Sequence, residues 1–321
     1  MPAILDTLLL LALPASGKSE VRKYLAGLSP AACRDEFGIG PTVQLDDYPY
    51  VHLMRRIDDE LAAHGGERGY FLAPDKGFRD GRDWRTLIEL VNEDYADLVC
   101  QRRPAPASAA EWLFDRIDLA RSRVGALPHL GALPARLRGQ VAAAVERDAR
   151  ALYDDKVAAY FDTLAGKTVV IEFARGGAAG SPLPLPEHYG YRGSVSCLSP
   201  AILDRASILY IWVTPEESRR KNDARADPND PGSILHHGVP IDVMLGEYGC
   251  DDMAHLLETS GRPDHLRLPA WGREYELPVA RFDNRVDKTS FVRAARETWA
   301  SADVAALHGG LKDAFTRLRR G

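Results

Sequence analysis

Gly17, Lys18 and Ser19 stand at the end of the stretch Ala12-Leu-Pro-Ala-Ser-Gly17-Lys18-Ser19, and each brings a different chemical capacity. Gly17 lets the backbone turn so that successive N–H groups converge on one point. Lys18 adds a cation, and Ser19 offers a hydroxyl to a hard metal ion. The spacing matches GxxxxGK[ST], with Ala12 in place of the first glycine. Such a loop suits a nucleoside triphosphate and its magnesium: Pro14, Ala15, Ser16, Gly17, Lys18 and Ser19 would cradle the phosphates, with the metal on Ser19. A second candidate group is the pair Asp46-Asp47. A carboxylate ionised at pH 7 can orient a hydroxyl and take its proton late in a transfer. Glu172 lies inside the end of a third apolar run and Arg175 just beyond it, and Arg175 offers a cation to an anionic acceptor. Arg219, Arg220, Lys221 and Arg225 form a fourth, cationic group.

The elements around these residues read as strands and helices in alternation. An apolar strand fits Thr7–Leu13, a turn fits Pro14–Gly17, and a helix fits Lys18–Ala26, with Val21 and Leu25 on one face. Four further runs read as buried strands: Thr42–Leu45, Thr168–Phe173, Ser207–Val213 and Leu277–Phe282. Each is short, aliphatic and followed by polar residues, which predicts a parallel sheet covered on both faces. Between the second and third strands, three helical faces are legible. Trp84, Leu87, Ile88, Val91, Tyr95 and Leu98 form one, and Leu113, Ile117 and Ala120 another. Leu137, Val141, Val145, Ala149 and Leu152 form the third, continuing toward Leu164. Breakers at Pro104-Ala-Pro106 and Gly125-Ala-Leu-Pro128 divide them. Residues 78–165 are therefore expected to be a helical insert within a single domain spanning 1–321. Gly176–Pro186 reads as a loop. Thr214-Pro-Glu-Glu217 is a helix start, with Thr214 as N-cap, Pro215 in the first turn and Glu217 completing a capping box.

The 321 residues, 45% apolar, suffice for one large core. A net charge of −5 argues against recruitment of nucleic acid or an acidic membrane surface. The four cysteines, Cys33, Cys100, Cys197 and Cys250, are scattered, which speaks against a zinc site or a disulfide framework. No apolar run approaches the ~20 residues of a membrane span, and the expectation is a cytoplasmic protein.

Three stretches carry a family resemblance: the loop at 12–19, "QLDDYPYVH" at Gln44–His52, and "YIWVTPEESRRKNDARADP" at Tyr210–Pro228. In these the chain resembles the P-loop kinase superfamily, in particular small-molecule kinases of the uridine kinase and zeta-toxin-like type. The resemblance covers the sheet framework, not the helical insert or the last hundred residues. It implies an α/β fold, a P-loop NTPase three-layer sandwich with a mostly parallel five-stranded sheet. It implies that an acid after the second strand accepts the substrate proton or holds magnesium through water. Asp46 is favoured because it follows its strand directly, with Asp47 beside the substrate; one of the two is otherwise a turn or helix cap. It further implies a lid over residues 214–240, whose Arg220 and Arg225 neutralise the transferring phosphoryl group, and an acid at Glu172 that supports magnesium or contacts substrate; the alternatives are a solvated helix face with i,i+4 pairs such as Glu217–Lys221 and a Glu172 paired structurally with Lys18 or Arg175. The insert would cap the acceptor, with Tyr50 and Arg55 in the region where acceptors dock; the alternative for these aromatics is core packing.

Asp283-Asn284-Arg285-Val286-Asp287 resembles the guanine-reading NKxD of small GTPases, with Arg in place of Lys. Asn284 is thus a candidate base contact, with ATP as the default nucleotide and GTP as the alternative. The competing role is capping by Asp287 ahead of a helix over Thr289–Trp299. His236-His237 lacks a carboxylate at ligand spacing and so does not make a metal site. The expected activity is transfer of a γ-phosphate to a hydroxyl of a nucleoside- or sugar-like small molecule, in a class that is often dimeric. The alternative is a nucleotide-hydrolysing switch, against which stands the lack of Asp-x-x-Gly after the third strand.

Overall fold

A computed structural model describes residues 4–225 and 238–320, the side chain of Arg225 excepted. His236 and His237 lie outside the described residues, as does the Arg225 side chain. Within them six strands form one sheet in the order β2-β3-β1-β4-β6-β5. The strands are β1 (Thr7–Leu11), β2 (Thr42–Asp46), β3 (Thr168–Phe173), β4 (Ala206–Trp212), β5 (His265–Ala270) and β6 (Arg273–Asp283). All neighbours are parallel except β5 and β6, which form an antiparallel hairpin.

Five strands were expected, and the sixth is the correction. His265-Leu-Arg-Leu alternates polar and apolar, and burial alternates from Leu266 onward, His265 being buried as well. The signal is short, and the turn that closes the hairpin puts Trp271, an unusual residue there, and Gly272 at positive φ (52° and 75°).

The burial of each strand follows its neighbours. β1 and β3 are buried at every position and β4 at all but Trp212, because both of their faces are covered. On one face pack α1 (Lys18–Ala26) and the C-terminal α7 (Ser301–Leu318), through Val21, Tyr24, Leu307, Leu311 and Phe315. The other face takes Ile88, Val91, Tyr95 and Leu98, together with the short helices around Tyr191–Leu203 and Met253–Leu256.

The helical layer holds α2 (Tyr48–Ala63), α3 (Asp83–Val99), α4 (Ala109–Arg123) and α5 (Ala135–Ala158). The sequence yields three of these and misses α2, whose Tyr50, Leu53, Met54, Ile57 and Leu61 join the same core. α3 is two-faced: Leu87 and Leu90 point into this helical core while Ile88 and Val91 point to the sheet. α5 stops at Ala158 rather than near Leu164, and the helix expected over Thr289–Trp299 is instead two short 3-10 turns. A buried ionic network ties the layer together. Arg116 reaches Asp94 (2.8 Å) and the Tyr50 hydroxyl (3.0 Å), while Tyr50 donates to Asp94 (2.6 Å). Lys156 closes the network on Asp94 (2.7 Å) and Asp97 (2.8 Å). Among the described residues no helix is long and apolar enough to cross a membrane.

The segment after the undescribed stretch returns over the insert. Glu247 is almost wholly buried and accepts a hydrogen bond from the Phe78 N–H (3.0 Å). Burial pushes its carboxyl up to about 7, against the opposing pull of Arg55 and Arg175. A carboxyl whose folded value exceeds its unfolded value binds more protons when folded, so stability falls as pH rises from about 4.5 to about 7. Glu247→Gln keeps an acceptor for Phe78 and removes this loss. The variant should gain on the order of 2 kcal/mol at pH 8 and almost nothing at pH 5. Thermal melting at the two pH values checks it; an equal shift at both would mean that the charge is not the cause.

Candidate functional site

β3 lies between β2 and β1, so the C-terminal ends of these three strands are adjacent. That placement brings Asp46, Glu172 and the loop 12–19 to one edge of the sheet. Asp46 and Glu172 are direct partners in register across β2 and β3.

The loop begins where β1 stops at Leu11, two residues earlier than the apolar run suggests. Pro14 has no N–H for a ladder, and Ala15 (φ 54°) and Gly17 (φ 105°) occupy the left-handed region. Four of the loop carbonyls are taken by side-chain donors. Ser16 Oγ donates to Leu13 O (2.6 Å), Lys18 Nζ to Ala12 O (3.2 Å) and Ser218 Oγ to Pro14 O (2.7 Å). Asn284 Nδ2 donates to Ser16 O (2.8 Å). At the start of α1 no side chain caps the free N–H groups, so they are available to an anion. Gly17 is required twice over. Its φ is positive, and a Cβ there would lie 2.5 Å from Thr289 Oγ1. Lys18 is buried and Ser19 exposed.

The three carboxylates have different partners. Asp47 is buried against Arg175 (Nη1 to Oδ2, 2.5 Å). Burial still raises its pKa, with Arg175 and then Lys18 pulling it back, which places the Lys18 charge close by. Glu172 is buried and held by Arg22 (2.7 Å), with Gln44 Nε2 at 3.4 Å from the same oxygen. Asp46 is half-buried and accepts only from the Tyr48 N–H (2.9 Å) among the described hydrogen bonds. Its carboxyl is pushed up to about 8 by burial first, then by the charges of Glu172 and Asp47, with the Tyr48 N–H and the more distant Arg22 charge pulling it back. Of the adjacent pair, Asp46 is therefore the acid without a guanidinium partner.

Several expected contacts are placed elsewhere. Arg175 is wholly buried: it binds Asp47, Ser194 Oγ (2.8 Å) and the Ala174 carbonyl (2.6 Å), and lies over the Trp84 ring. Its guanidinium is engaged within the core rather than presented to an acceptor. Tyr50 belongs to the buried network with Asp94 and Arg116. Arg55 grips the carbonyls of Pro74 (2.8 Å) and Lys76 (3.0 Å) and stacks on Phe71, so it pins the loop ahead of α3.

The helix α6 (Pro215–Arg225) starts as expected, with Glu217 N–H donating to Thr214 Oγ1 (3.2 Å). Its cations are turned to acids of their own neighbourhood. Arg219 pairs with Glu216 (3.2 Å) and Arg220 with Glu217 (2.7 Å). Lys221 is buried on Asp287 (2.9 Å). Here Arg220 is not brought to the carboxylates, because a glutamate one turn away takes its guanidinium.

Asn284 has no exposed surface. Besides Ser16 O it donates to Thr289 Oγ1 (2.9 Å) and accepts from the Lys288 N–H (2.7 Å). Both amide hydrogens are thus engaged within the loop and its neighbour Thr289, not turned outward as a base contact requires. Asp287 accepts from the N–H groups of Thr289 (3.0 Å) and Ser290 (3.1 Å), the capping alternative. Asn284→Ala should leave buried polar groups unpaired and cost about 1–3 kcal/mol. Denaturant unfolding reads this, and an unchanged midpoint would mean that the amide does not support the loop.

Three contributors escaped sequence reading: Arg22, Ser218 and Thr289. Arg22 had a signal, since it stands four residues after Lys18 and so on the same helix face. Ser218 and Thr289 had none, because their partners are distant in the chain.

Among the described residues no cluster of three His, Cys, Asp or Glu could cage a metal by itself. Magnesium needs no such cage: it keeps waters and takes one or two protein oxygens beside those of phosphate. The Ser19 hydroxyl and the Asp46 carboxylate are oxygen donors of that kind, and the crowding of three acids is what a divalent cation relieves. A separate open cavity of about 610 Å³, lined by Tyr95, Leu164 and Arg205 among others, shares no residue with this site. Compared with protein-family models, with curated proteins and with solved structures, the chain matches none.

Proposed function

We propose that the chain is an ATP-dependent phosphotransferase of the P-loop kinase type, acting on a hydroxyl of a small molecule. The observation that carries the reading is the asymmetry of the acids beside the loop. Asp47 and Glu172 are each neutralised by an arginine, while Asp46 is left with a single backbone donor. Further support comes from the sheet order, in which β1 lies between β3 and β4. The crevice at the carboxyl ends of such strands is where open parallel sheets take ligands.

In this reading the loop amides and Lys18 hold the β- and γ-phosphates, and Ser19 and Asp46 supply protein oxygens to magnesium. The bound metal contributes charge neutralisation of the phosphoryl oxygens. Asp46 orients the acceptor hydroxyl. Its proton passes to the Asp46 carboxylate as the new oxygen–phosphorus bond forms and ADP leaves with the old one. Nucleoside- or sugar-like acceptors fit the class best. The base is adenine by default, since Asn284 and Asp287, the residues that favoured a guanine-reading switch, are occupied internally.

The test is ADP release by the purified chain with magnesium and ATP, screened over nucleosides, sugars and amino alcohols. Acceptor-dependent release that Asp46→Asn removes supports the reading. Slow hydrolysis indifferent to every added molecule supports a switch instead.

A further inference from the structure

Arg22 is absent from the chemistry above, yet it touches the acid paired in register with Asp46. Its Nη1 lies 2.7 Å from Glu172 Oε2, with its own side chain about one-third exposed (36%). Glu172 and Asp46 are partners in register on adjacent parallel strands, so their side chains leave the sheet on the same face. Two carboxylates so placed compete for any proton or cation between them. Arg22 is one helical turn beyond Lys18, so α1 presents cations to both buried acids. Lys18 lies near Asp47, and Arg22 is bonded to Glu172.

Resting on the phosphotransferase reading, we propose that Arg22 is a positioning residue: by holding Glu172 it makes Asp46 the carboxylate presented to the reacting hydroxyl. Arg22 acts chiefly through Glu172, with a smaller direct pull of its charge on Asp46, and touches neither nucleotide nor acceptor. Without it Glu172 is a second free acid beside Asp46, and the hydroxyl or metal is shared between two carboxylates in unproductive arrangements.

The experiment is a double-mutant cycle on the full chain, with magnesium–ATP and water as the probe acceptor, reading kcat and KM separately. Arg22→Ala is expected to lower kcat about 10–100-fold with the KM for ATP within about twofold. Arg22→Lys, which keeps the cation, should return most of the rate. Once Glu172→Gln removes the charge, Arg22→Ala should have little further effect, so the double variant should match Glu172→Gln alone within about threefold. Losses that multiply, a KM that rises with the kcat loss, or an Arg22→Ala chain as active as the parent would each overturn the role. A parent chain with neither magnesium–ATP turnover nor calorimetric heat would instead overturn the phosphotransferase reading, and this role with it. Arg22 is partly exposed, so loss of folding is not expected, and thermal melting of each variant separates it from loss of rate.

Discussion

Asp46→Asn is expected to lower acceptor-dependent ADP release by about 10²–10⁴-fold, the range a positioned general base contributes, and to leave the protein as stable as before or more so. The two halves come from the same geometry. Asparagine retains an oxygen for the Tyr48 N–H, so the start of α2 keeps its bond. What is lost is the capacity to ionise, which burial first and then Glu172 and Asp47 oppose, pushing the carboxyl up to about 8 in the folded chain. Asparagine therefore removes the cost of ionisation above that pH while depriving the acceptor hydroxyl of its base, as happens where function is held at the expense of stability. Initial rates with a responsive acceptor and a thermal melt check both parts. A variant within about threefold of the parent rate would remove Asp46 from the chemistry. A large fall in melting temperature would turn it into a structural acid.

The second large effect is expected at Lys18. Lys18→Ala should reduce turnover by about 10³-fold, roughly 4 kcal/mol of transition-state stabilisation, and should weaken nucleotide binding enough to flatten a calorimetric titration. Lys18 is buried with its ammonium on the Ala12 carbonyl (3.2 Å), and its charge lowers the pKa of Asp47. Its removal takes from the loop the one cation that the motif itself supplies. If Lys18→Ala bound ATP and turned over like the parent chain, the loop would not be a phosphate site.

The parts of this molecule that could be read in advance are those decided by local pattern. β1, β3 and β4 are buried on both faces, so their sequences are unbroken apolar runs. The sequence places Thr214 as a cap because a hydroxyl three residues before Glu217 meets a free N–H, and that is where it is found. Partners were harder. Arg175, Tyr50 and Arg55 look like binding residues because their types are rare in cores. In the fold they are consumed by Asp47, Asp94 and the Pro74 carbonyl, from elements 128, 44 and 19 residues away in sequence. Arg220 has the same difficulty at short range, since its i−3 neighbour Glu217 competes for it. α2 went unread because its aromatics near Asp46 suggest a surface, while its burial depends on α5 packing against it. Residue type and spacing define the loop and its acid; which of the surrounding charges remain free is set by tertiary contacts.

The loop at 12–19 is closed by residues that are made long after it. Ser218, which takes the Pro14 carbonyl, is 204 positions downstream, and Asn284, which takes the Ser16 carbonyl, is 268. A chain emerging from the ribosome therefore carries the loop sequence for most of its synthesis without the two side chains that fix its shape. On the phosphotransferase reading, competence to grip a nucleotide would arrive late, with the last strand, and a release factor acting before Asn284 would yield a fragment that contains the whole motif but lacks its clasp.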